Sequence, residues 1–190
     1  MTHPVDCQQT LISALLEDER RRQILTRVRD LALPDCWIGA GFIRDTIWAL
    51  LSGSKKTGET ANDVDVIWFD PMRAKAEFDA QIEQRLISVD PTVPWSVKNQ
   101  ARMHTRNGDE PYASCAHALS FWPETATAVA ARLTEAGKIE TLAPFGLQDL
   151  FDGVVRPTPR FRRDKLDLFE KRWREKKWLE RWPFLRVAVA

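Results

Sequence analysis

Two segments of this chain, Cys36-Trp-Ile-Gly-Ala-Gly-Phe-Ile-Arg-Asp45 and Asp63-Val-Asp-Val-Ile-Trp-Phe69, predict the centre of its fold. The first segment is apolar up to its Gly-Ala-Gly turn, and residues 42–51 then carry apolar side chains at helical spacing. The second segment is rich in β-branched and aromatic residues, which is typical of a strand. We therefore expect a strand, a glycine turn, a helix and a second strand in this order.

The flanking sequence extends this pattern into a small α/β unit. Residues 8–32 predict one amphipathic helix that ends before Pro34, residues 72–89 predict another helix, and residues 95–103 predict a third strand. Alternating strands and helices are typical of an α/β (α+β) fold, here a small mixed sheet flanked by helices. The pattern then changes, and short helices are predicted over residues 113–119, 124–136, 147–155 and 161–182.

Length and composition agree with a single domain. Domains usually contain ~100–200 residues, and this chain has 190 residues, of which 44% are apolar. We expect one domain over residues 1–190, with a core over about 33–105 and a helical C-terminal extension over about 112–186. The net charge of +1 does not indicate a nucleic-acid partner, and the sequence does not predict an oligomeric state.

No segment of the sequence indicates a membrane. The chain lacks a run of the ~18 apolar residues that a spanning helix needs, and its first residues are polar, unlike a signal peptide. Cys7, Cys36 and Cys115 are far apart and odd in number, so neither a disulfide framework nor a structural zinc site is predicted. We therefore expect a cytoplasmic protein.

The C-terminal end combines positive charge with tryptophan. Residues 160–186 contain eleven Lys or Arg against five acidic residues, and Trp173, Trp178 and Trp182 lie among them. One interpretation is an RNA-binding surface on which bases stack. The other interpretation, which the interleaved acids favour, is an amphipathic helix that buries its aromatic rings and keeps its Lys and Arg in solvent. The eight tryptophans of the chain are expected mainly as core anchors.

The glycine turn is the first candidate for a phosphate site. A strand that ends in Gly39-Ala40-Gly41 and opens into a helix leaves backbone N–H groups free at the helix N-terminus, and glycine lets a phosphate approach them closely. Arg44 lies in the first helical turn, at the positive end of the helix dipole, so we expect it to hold an anion. That anion is either a phosphate or a nearby carboxylate such as Asp45.

Asp63 and Asp65 are the second candidate site. Side chains at i and i+2 share one face of a strand, so both carboxylates point the same way, ~6–7 Å apart along the chain. The two charges repel each other unless a cation lies between them, and Mg²⁺ commonly binds one or two carboxylates together with substrate phosphates. The alternative is a solvent-facing strand start, but the apolar residues that follow favour a buried strand. Asn62 is placed to cap the incoming turn.

Together the two segments resemble the nucleotidyltransferase superfamily of DNA polymerase beta, especially the Gly-Gly-x-x-Arg-Asp and Asp-x-Asp opening of the CCA-adding and poly(A) polymerases. More of the chain is similar to a family of small bacterial nucleotidyltransferase-like proteins. The matching segments are Trp95-Ser-Val-Lys-Asn-Gln-Ala-Arg-Met-His104, Trp122-Pro-Glu-Thr-Ala-Thr127 and Pro144-Phe-Gly-Leu-Gln-Asp-Leu-Phe151. The superfamily motifs cover residues 37–70, and the closer resemblance covers most of the chain.

The resemblance implies two-metal phosphoryl transfer. Asp63 and Asp65 would be catalytic and would hold Mg²⁺ or Mn²⁺ on a nucleoside triphosphate, while an acceptor hydroxyl attacks the α-phosphorus and pyrophosphate leaves. The turn from Gly39 to Gly41 would cradle the β- and γ-phosphates. The acceptor is not identified and would be an RNA end, a small molecule or a protein side chain.

The chain departs from the superfamily pattern at two places. Its turn is Gly-Ala-Gly, without a serine hydroxyl for the phosphate, and residues 95–100 have no acid where polymerase-beta-like members carry a third carboxylate. Lys98 and Asn99 lie on opposite faces of this strand, and either one of them faces the phosphates or both are solvated on an edge strand. His104 and His117 are candidate general bases, although a lone histidine is more often at the surface or hydrogen-bonded in the core.

Three functions are compatible with these residues. The acid pair and Arg44 favour a metal-dependent nucleotidyltransferase. The missing third acid favours a catalytically degenerate module that binds a nucleotide or RNA without turnover. A structural partner, such as one half of a toxin–antitoxin pair, is the third.

Overall fold

The structure of the chain, a computed structural model, describes residues 6–53 and 63–188. Its helices in these ranges are α1 (Cys7–Leu16), α2 (Glu19–Arg29), α3 (Gly41–Leu51), α4 (Ala76–Val89), α5 (Met103–Asn107), α6 (Cys115–Leu119), α7 (Gln148–Phe151), α8 (Pro159–Asp164), α9 (Leu166–Glu175) and α10 (Trp178–Arg181). Its strands are β1 (Trp37–Gly39), β2 (Val64–Trp68), β3 (Trp95–Asn99), β4 (Ala130–Leu133), β5 (Ile139–Leu142), β6 (Val154–Val155) and β7 (Arg186–Val187).

The main sheet is mixed and has the strand order β3-β2-β1-β4-β5. Only β2 and β3 run parallel, and α4 connects them; the other neighbouring strands are antiparallel. The predicted order of strand, glycine turn, helix and strand is confirmed, and so are the helix after β2 and the mixed sheet flanked by helices. The short strands β6 and β7 form a separate parallel pair.

The single helix predicted over residues 8–32 is wrong, because the structure has two helices there. α1 ends at Leu16 and α2 begins at Glu19. The break is at Asp18, whose backbone is extended and whose side chain accepts a hydrogen bond from the Arg21 N–H. Aspartate at this position caps a new helix by satisfying one of its free N–H groups, which competes with continuation of the preceding helix.

The helix predicted over residues 124–136 is also wrong. The second half of this segment is β4, which pairs with β1 on one side and β5 on the other. The connection to β5 contains Gly137, which has a φ of 73°. Small side chains let β4 lie against the end of β1, where Ala130 is opposite Gly39. Pairing with a neighbouring strand therefore overrides the local helical spacing.

Three further boundaries differ from the predictions. The third strand ends at Asn99 and is followed by a turn of 3₁₀ helix and by α5, so the prediction of a strand up to residue 103 is too long. The helix predicted over 147–155 is only α7, followed by β6. The helix predicted over 161–182 is divided into α8, α9 and α10, and Lys177 before α10 has a left-handed backbone with a φ of 51°.

The tryptophans anchor the core, as the composition predicts. Six of the eight are buried, which are Trp37, Trp48, Trp68, Trp95, Trp178 and Trp182. The ring centroids of Trp48 on α3 and Trp178 on α10 are 5.6 Å apart, and those of Trp48 and Trp182 are 6.5 Å apart. The C-terminal segment, residues 160–186, thus packs against α3. The burial predicted for its tryptophan rings is confirmed for Trp178 and Trp182, whereas Trp173 is only partly buried. In the described part of the chain, every helix is too short or too polar to cross a bilayer.

Candidate active site

A pocket of about 530 Å³ opens where the last residue of β1 and the first residues of β2 meet the C-terminal segment. We call it the Asp pocket because both Asp63 and Asp65 line it. Four other residues predicted for the site also line it, which are Ala40, Gly41, Arg44 and Lys98. Gly39 and Asn99 do not belong to its lining. The structure thus brings together the glycine turn, the acid pair and two of the predicted cations.

The turn between β1 and α3 presents the helix N-terminus to the Asp pocket. Ala40 has a φ of 48° and a ψ of −122°, and its N–H donates to the Val129 carbonyl. The N–H groups of Ile43 and Arg44 both bond to the Ala40 carbonyl. The N–H groups of Gly41 and Phe42 are left without a described acceptor. They are the free donors that an anion at a helix N-terminus uses.

Gly39 has a packing role in this turn. A Cβ atom at this position would lie 3.0 Å from the Cη2 atom of Trp122. Trp122 lines the Asp pocket, so any side chain at Gly39 would displace part of the pocket wall. Gly41, in contrast, lines the pocket itself, where the lack of a side chain leaves the backbone accessible to a ligand.

The acid pair lies at the start of β2. Asp63 is exposed, and Asp65 is partly buried in the strand. Burial, and then the negative charge of Asp63, raises the pKa of Asp65 to about 6, while the positive charges of Arg172, Arg44 and Lys176 act in the opposite direction. A carboxylate that resists ionisation next to another carboxylate is a place where a bound cation is stabilising.

The donor set around this pair is limited to two carboxylates. Within residues 6–53 and 63–188, no group of three or more His, Cys, Asp or Glu side chains is arranged to hold a metal ion. The parallel register places Ser96 beside Asp65 and Lys98 beside Ile67. β3 therefore offers a hydroxyl next to the second acid. Two carboxylates suit Mg²⁺, which fills its remaining positions with phosphate oxygens and water.

Arg44 is held by a carboxylate and also lies at the pocket. Its Nη2 lies 2.7 Å from Oδ1 of Asp45, the nearby carboxylate that the sequence offered as its anion. The other carboxylate oxygen of Asp45, Oδ2, lies 3.3 Å from Nη1 of Arg181. The Cζ of Arg44 lies 4.5 Å from the ring centroid of Trp178. Although the side chain is buried, it still lines the Asp pocket. These contacts hold the guanidinium rigidly at the pocket wall.

Lys98 and Asn99 point to opposite sides of β3, as their spacing predicts. Lys98 lines the Asp pocket, and its Nζ is 3.7 Å from a carboxylate oxygen of Glu83. Asn99 is fully buried, and its side-chain amide donates to the carbonyls of Asp70 and Arg73. The structure therefore places Asn99 in a network of hydrogen bonds that fixes the end of β3.

The two candidate histidines lie away from the acid pair, since neither His104 nor His117 lines the Asp pocket. The His117 ring accepts a hydrogen bond from the Ala113 N–H, and the His104 ring contacts the Thr105 hydroxyl. Asn62, predicted to cap the turn before the acid pair, lies outside the described residues.

The sequence did not point to several cations of the Asp pocket. Lys165, Arg172 and Lys176 from the C-terminal segment line it, and Arg106 from α5 lines it as well. For Arg172 and Lys176 the sequence shows the basic composition of residues 160–186 and the four-residue interval from 168 to 172 to 176, which places side chains on one face of a helix. That interval does not reveal what the face contacts.

A mixed sheet in which a glycine turn, a helix N-terminus and an Asp-x-Asp pair meet in one pocket defines a nucleotidyltransferase. The chain belongs to the nucleotidyltransferase family, because a family model described as nucleotidyltransferase matches residues 26–187. It is a nucleotidyltransferase of the kind that uses nucleoside triphosphates. Among curated proteins, no sequence matches this chain.

Solved structures agree with this assignment. One, described as revealing a CCA-adding enzyme head domain, is 38% identical over 95% of each chain, with a TM-score of 0.84. The Thermotoga maritima CCA-adding enzyme complexed with tRNA_CCA is 14% identical, with a TM-score of 0.59 over 95% of this chain and 42% of that one. A CCA-adding enzyme with CTP is 16% identical, with a TM-score of 0.60 over 99% of this chain and 44% of that one. The last two share the fold, and this chain spans less than half of their length.

Proposed function

We propose that this protein transfers a nucleoside monophosphate from a nucleoside triphosphate to an acceptor hydroxyl in a metal-dependent reaction at the Asp pocket. The observation that carries the proposal is that Asp63, Asp65 and the N-terminus of α3 line one pocket, with Arg44 beside them. An acid pair suits a cation, and a helix N-terminus with a nearby guanidinium suits phosphates. A metal-bound triphosphate contains both the cation and the phosphates.

Asp63 and Asp65 are the residues proposed to hold Mg²⁺ or Mn²⁺. Their fit to a cation rests on the two carboxylates lining one pocket, and it is supported by the raised pKa of Asp65, which burial and then the negative charge of Asp63 cause. A bound divalent ion supplies charge neutralisation for the phosphates and a Lewis acid for the displacement. Because the two side chains are the only acids proposed as ligands, substrate phosphates complete the site, and we expect metal and nucleotide to bind cooperatively.

The chain's own groups bind and orient the triphosphate. The N–H groups of Gly41 and Phe42 bind phosphate oxygens at the N-terminus of α3, and Arg44 and Lys98 add positive charge at the pocket wall. The acceptor oxygen forms a bond to the α-phosphorus, the bond from that phosphorus to the bridging oxygen breaks, and pyrophosphate leaves with the electron pair. The proton of the acceptor hydroxyl passes to solvent.

RNA is the first acceptor class to test. The support for RNA comes from the Thermotoga maritima enzyme of the same fold, whose structure is complexed with tRNA. The pocket also carries several cations, and Arg106 is exposed among them. Phosphate contacts from such cations position a nucleic acid without reading its sequence. A small-molecule hydroxyl and a protein side chain are the other acceptor classes.

One observation favours a second function, which is binding of a nucleotide or RNA without turnover. Ser96 lies beside Asp65 in the register of β3, and among the described residues no third carboxylate is arranged to hold a metal ion together with the pair. An ion that activates the acceptor would then have fewer protein ligands. Loss of one electrostatic contact in a transition state typically lowers the rate ~10²–10³-fold. Measurement of turnover and of binding therefore separates the two functions.

The test combines calorimetry with label transfer. Mg²⁺ and each of the four nucleoside triphosphates are titrated into wild type, Asp63→Asn and Asp65→Asn, with Glu17→Gln as a control that removes an exposed acid outside the lining of the Asp pocket. We expect metal-dependent nucleotide binding that both Asp variants lose and the control keeps. Transfer of α-phosphate label to extracted RNA, lost in Asp65→Asn, supports the enzyme. Binding without transfer to RNA, small molecules or proteins supports the second function.

A further inference from the structure

The C-terminal helix α9 forms one wall of the Asp pocket, and this wall is positively charged. Leu168, Arg172 and Lys176 line the pocket and follow each other at four-residue intervals, so they share one face of the helix and its end. Phe169 lies on another face and is fully buried in the core. The helix therefore has a core side and a cationic pocket side.

Glu124 holds Arg172 in place from the protein interior. The Nε of Arg172 donates to one carboxylate oxygen of Glu124 at 3.0 Å, and the Thr127 hydroxyl donates to the other at 2.6 Å. Glu124 is completely buried, whereas 37% of the Arg172 side chain is exposed. The terminal nitrogens of Arg172 have no hydrogen-bond partner among the residues that the structure describes. One edge of the guanidinium is thus fixed, and the other is available to a ligand.

Trp178 brings a second guanidinium to the same region. The Cζ of Arg44 is 4.5 Å from its ring centroid and the Cζ of Arg172 is 5.9 Å from it. Both guanidinium groups line the Asp pocket, and their positive charges both act on Asp65. Two like charges held around one indole repel each other, so a multiply charged anion bound between them is stabilising.

The cations on the outer side of the C-terminal segment are arranged differently. Arg174 is 2.9 Å from Glu170, and Lys171 is 3.7 Å from Glu175. The interleaved acids therefore neutralise the outer surface. Lys176, on the pocket side, has no ion pair with any described residue. Arg172 and Lys176 therefore direct positive charge from the end of this helix at the pocket.

We propose that α9 contributes to binding of the triphosphate tail. Arg172 binds the phosphates that leave as pyrophosphate, and Glu124 positions Arg172. The inference rests on the proposed function and adds a part of the site that comes from the C-terminal segment. Arg172 binds the tail from α9 and the N-terminus of α3 binds it as well, so that two elements hold the leaving group. Glu124 acts only through Arg172.

Inorganic tripolyphosphate with Mg²⁺ is a suitable probe, because it has the charge of the tail without a base or a sugar. We expect Arg172→Gln to weaken its binding about 10- to 100-fold, as for loss of a charge-assisted hydrogen bond. Arg174→Gln is the matched control, since it removes the same group from the outer face of the same helix. The double variant Glu124→Gln/Arg172→Gln removes both charges, so that no buried carboxylate is left unpaired, and circular dichroism checks its fold.

A double-mutant cycle tests the positioning role of Glu124. Glu124→Gln alone should weaken tripolyphosphate binding about 3- to 10-fold, and it should have no effect once Arg172 is already Gln. Additive losses would show that Glu124 acts independently and would overturn the positioning role. Equal affinities of wild type, Arg172→Gln and the double variant would overturn the inference and leave the proposed function intact. Absence of any tripolyphosphate binding by wild type in Mg²⁺ would overturn both.

Discussion

Gly39 and Asp65 are direct partners in the antiparallel pairing of β1 and β2. Because Gly39 ends β1 and begins the glycine turn, this pairing places the N-terminus of α3 and the second acid at the same end of the sheet. The parallel strand β3 then brings Lys98 to the same pocket. Elements that are separate along the chain therefore converge on the Asp pocket, the site proposed for a metal-bound triphosphate.

Metal affinity should depend on pH because a proton and a metal ion compete for Asp65. Its pKa is about 6, so the carboxylate is protonated below this pH and ionised above it. We expect Mn²⁺ affinity to be constant above about pH 7 and to fall about tenfold per pH unit below pH 6. Titration of Mn²⁺ by calorimetry between pH 5 and pH 8 measures this dependence. An affinity that stays constant over the whole range would contradict it.

Asp65→Asn should stabilise the protein in the absence of metal. The folded pKa is raised above the unfolded one, so ionisation of Asp65 lowers the free energy of unfolding as the pH rises through this interval. We expect a gain of about 1–2 kcal/mol at pH 7, reduced by solvent screening of this partly buried group, and almost no gain at pH 3.5. Urea unfolding at the two pH values measures the difference. A variant that is less stable at pH 7 would contradict the expectation.

Ala40→Gly should also stabilise the fold. Ala40 has a φ of 48° and a ψ of −122°, a backbone conformation that residues with a Cβ rarely adopt. Release of this strain, about 1–3 kcal/mol, outweighs the extra unfolded-state entropy of glycine, and the expected net gain is about 1 kcal/mol. Ala143→Gly is the matched control, because Ala143 is not among the residues with positive φ. The control should lose stability, and an equal loss in Ala40→Gly would refute the strain.

Trp178→Ala should affect both the core and the proposed phosphate site. The indole is buried against Trp48, and two guanidinium groups of the Asp pocket lie around it. We expect a loss of about 3–5 kcal/mol in the free energy of unfolding, as for other buried aromatic residues. Trp173→Ala, at a partly buried position, should cost less. Tripolyphosphate affinity, measured at low temperature where the variant stays folded, should also decrease for Trp178→Ala and not for Trp173→Ala.

Local spacing was sufficient to predict the elements around the turn and the acid pair. The apolar residues of α3 repeat at the period of a helix, β2 is rich in β-branched and aromatic residues, and both elements are where the sequence predicts them. Local spacing failed where a single polar residue or a distant strand dominated. Asp18 starts a new helix in a segment with continuous helical spacing. Ala130 and Ala131 form a strand because β1 is available beside them.

The sequence by itself determined which residues carry the acid pair, the glycine turn and the first cation, because these depend on neighbours within a few positions. Only the tertiary structure decided that Arg172 faces this site and that Glu124, 48 residues away in the chain, holds it there. Such contacts depend on how separate elements pack together, and the helical spacing of Arg172 is the same whether its face meets solvent, core or pocket. The partner of a helix face is set by packing over the whole chain.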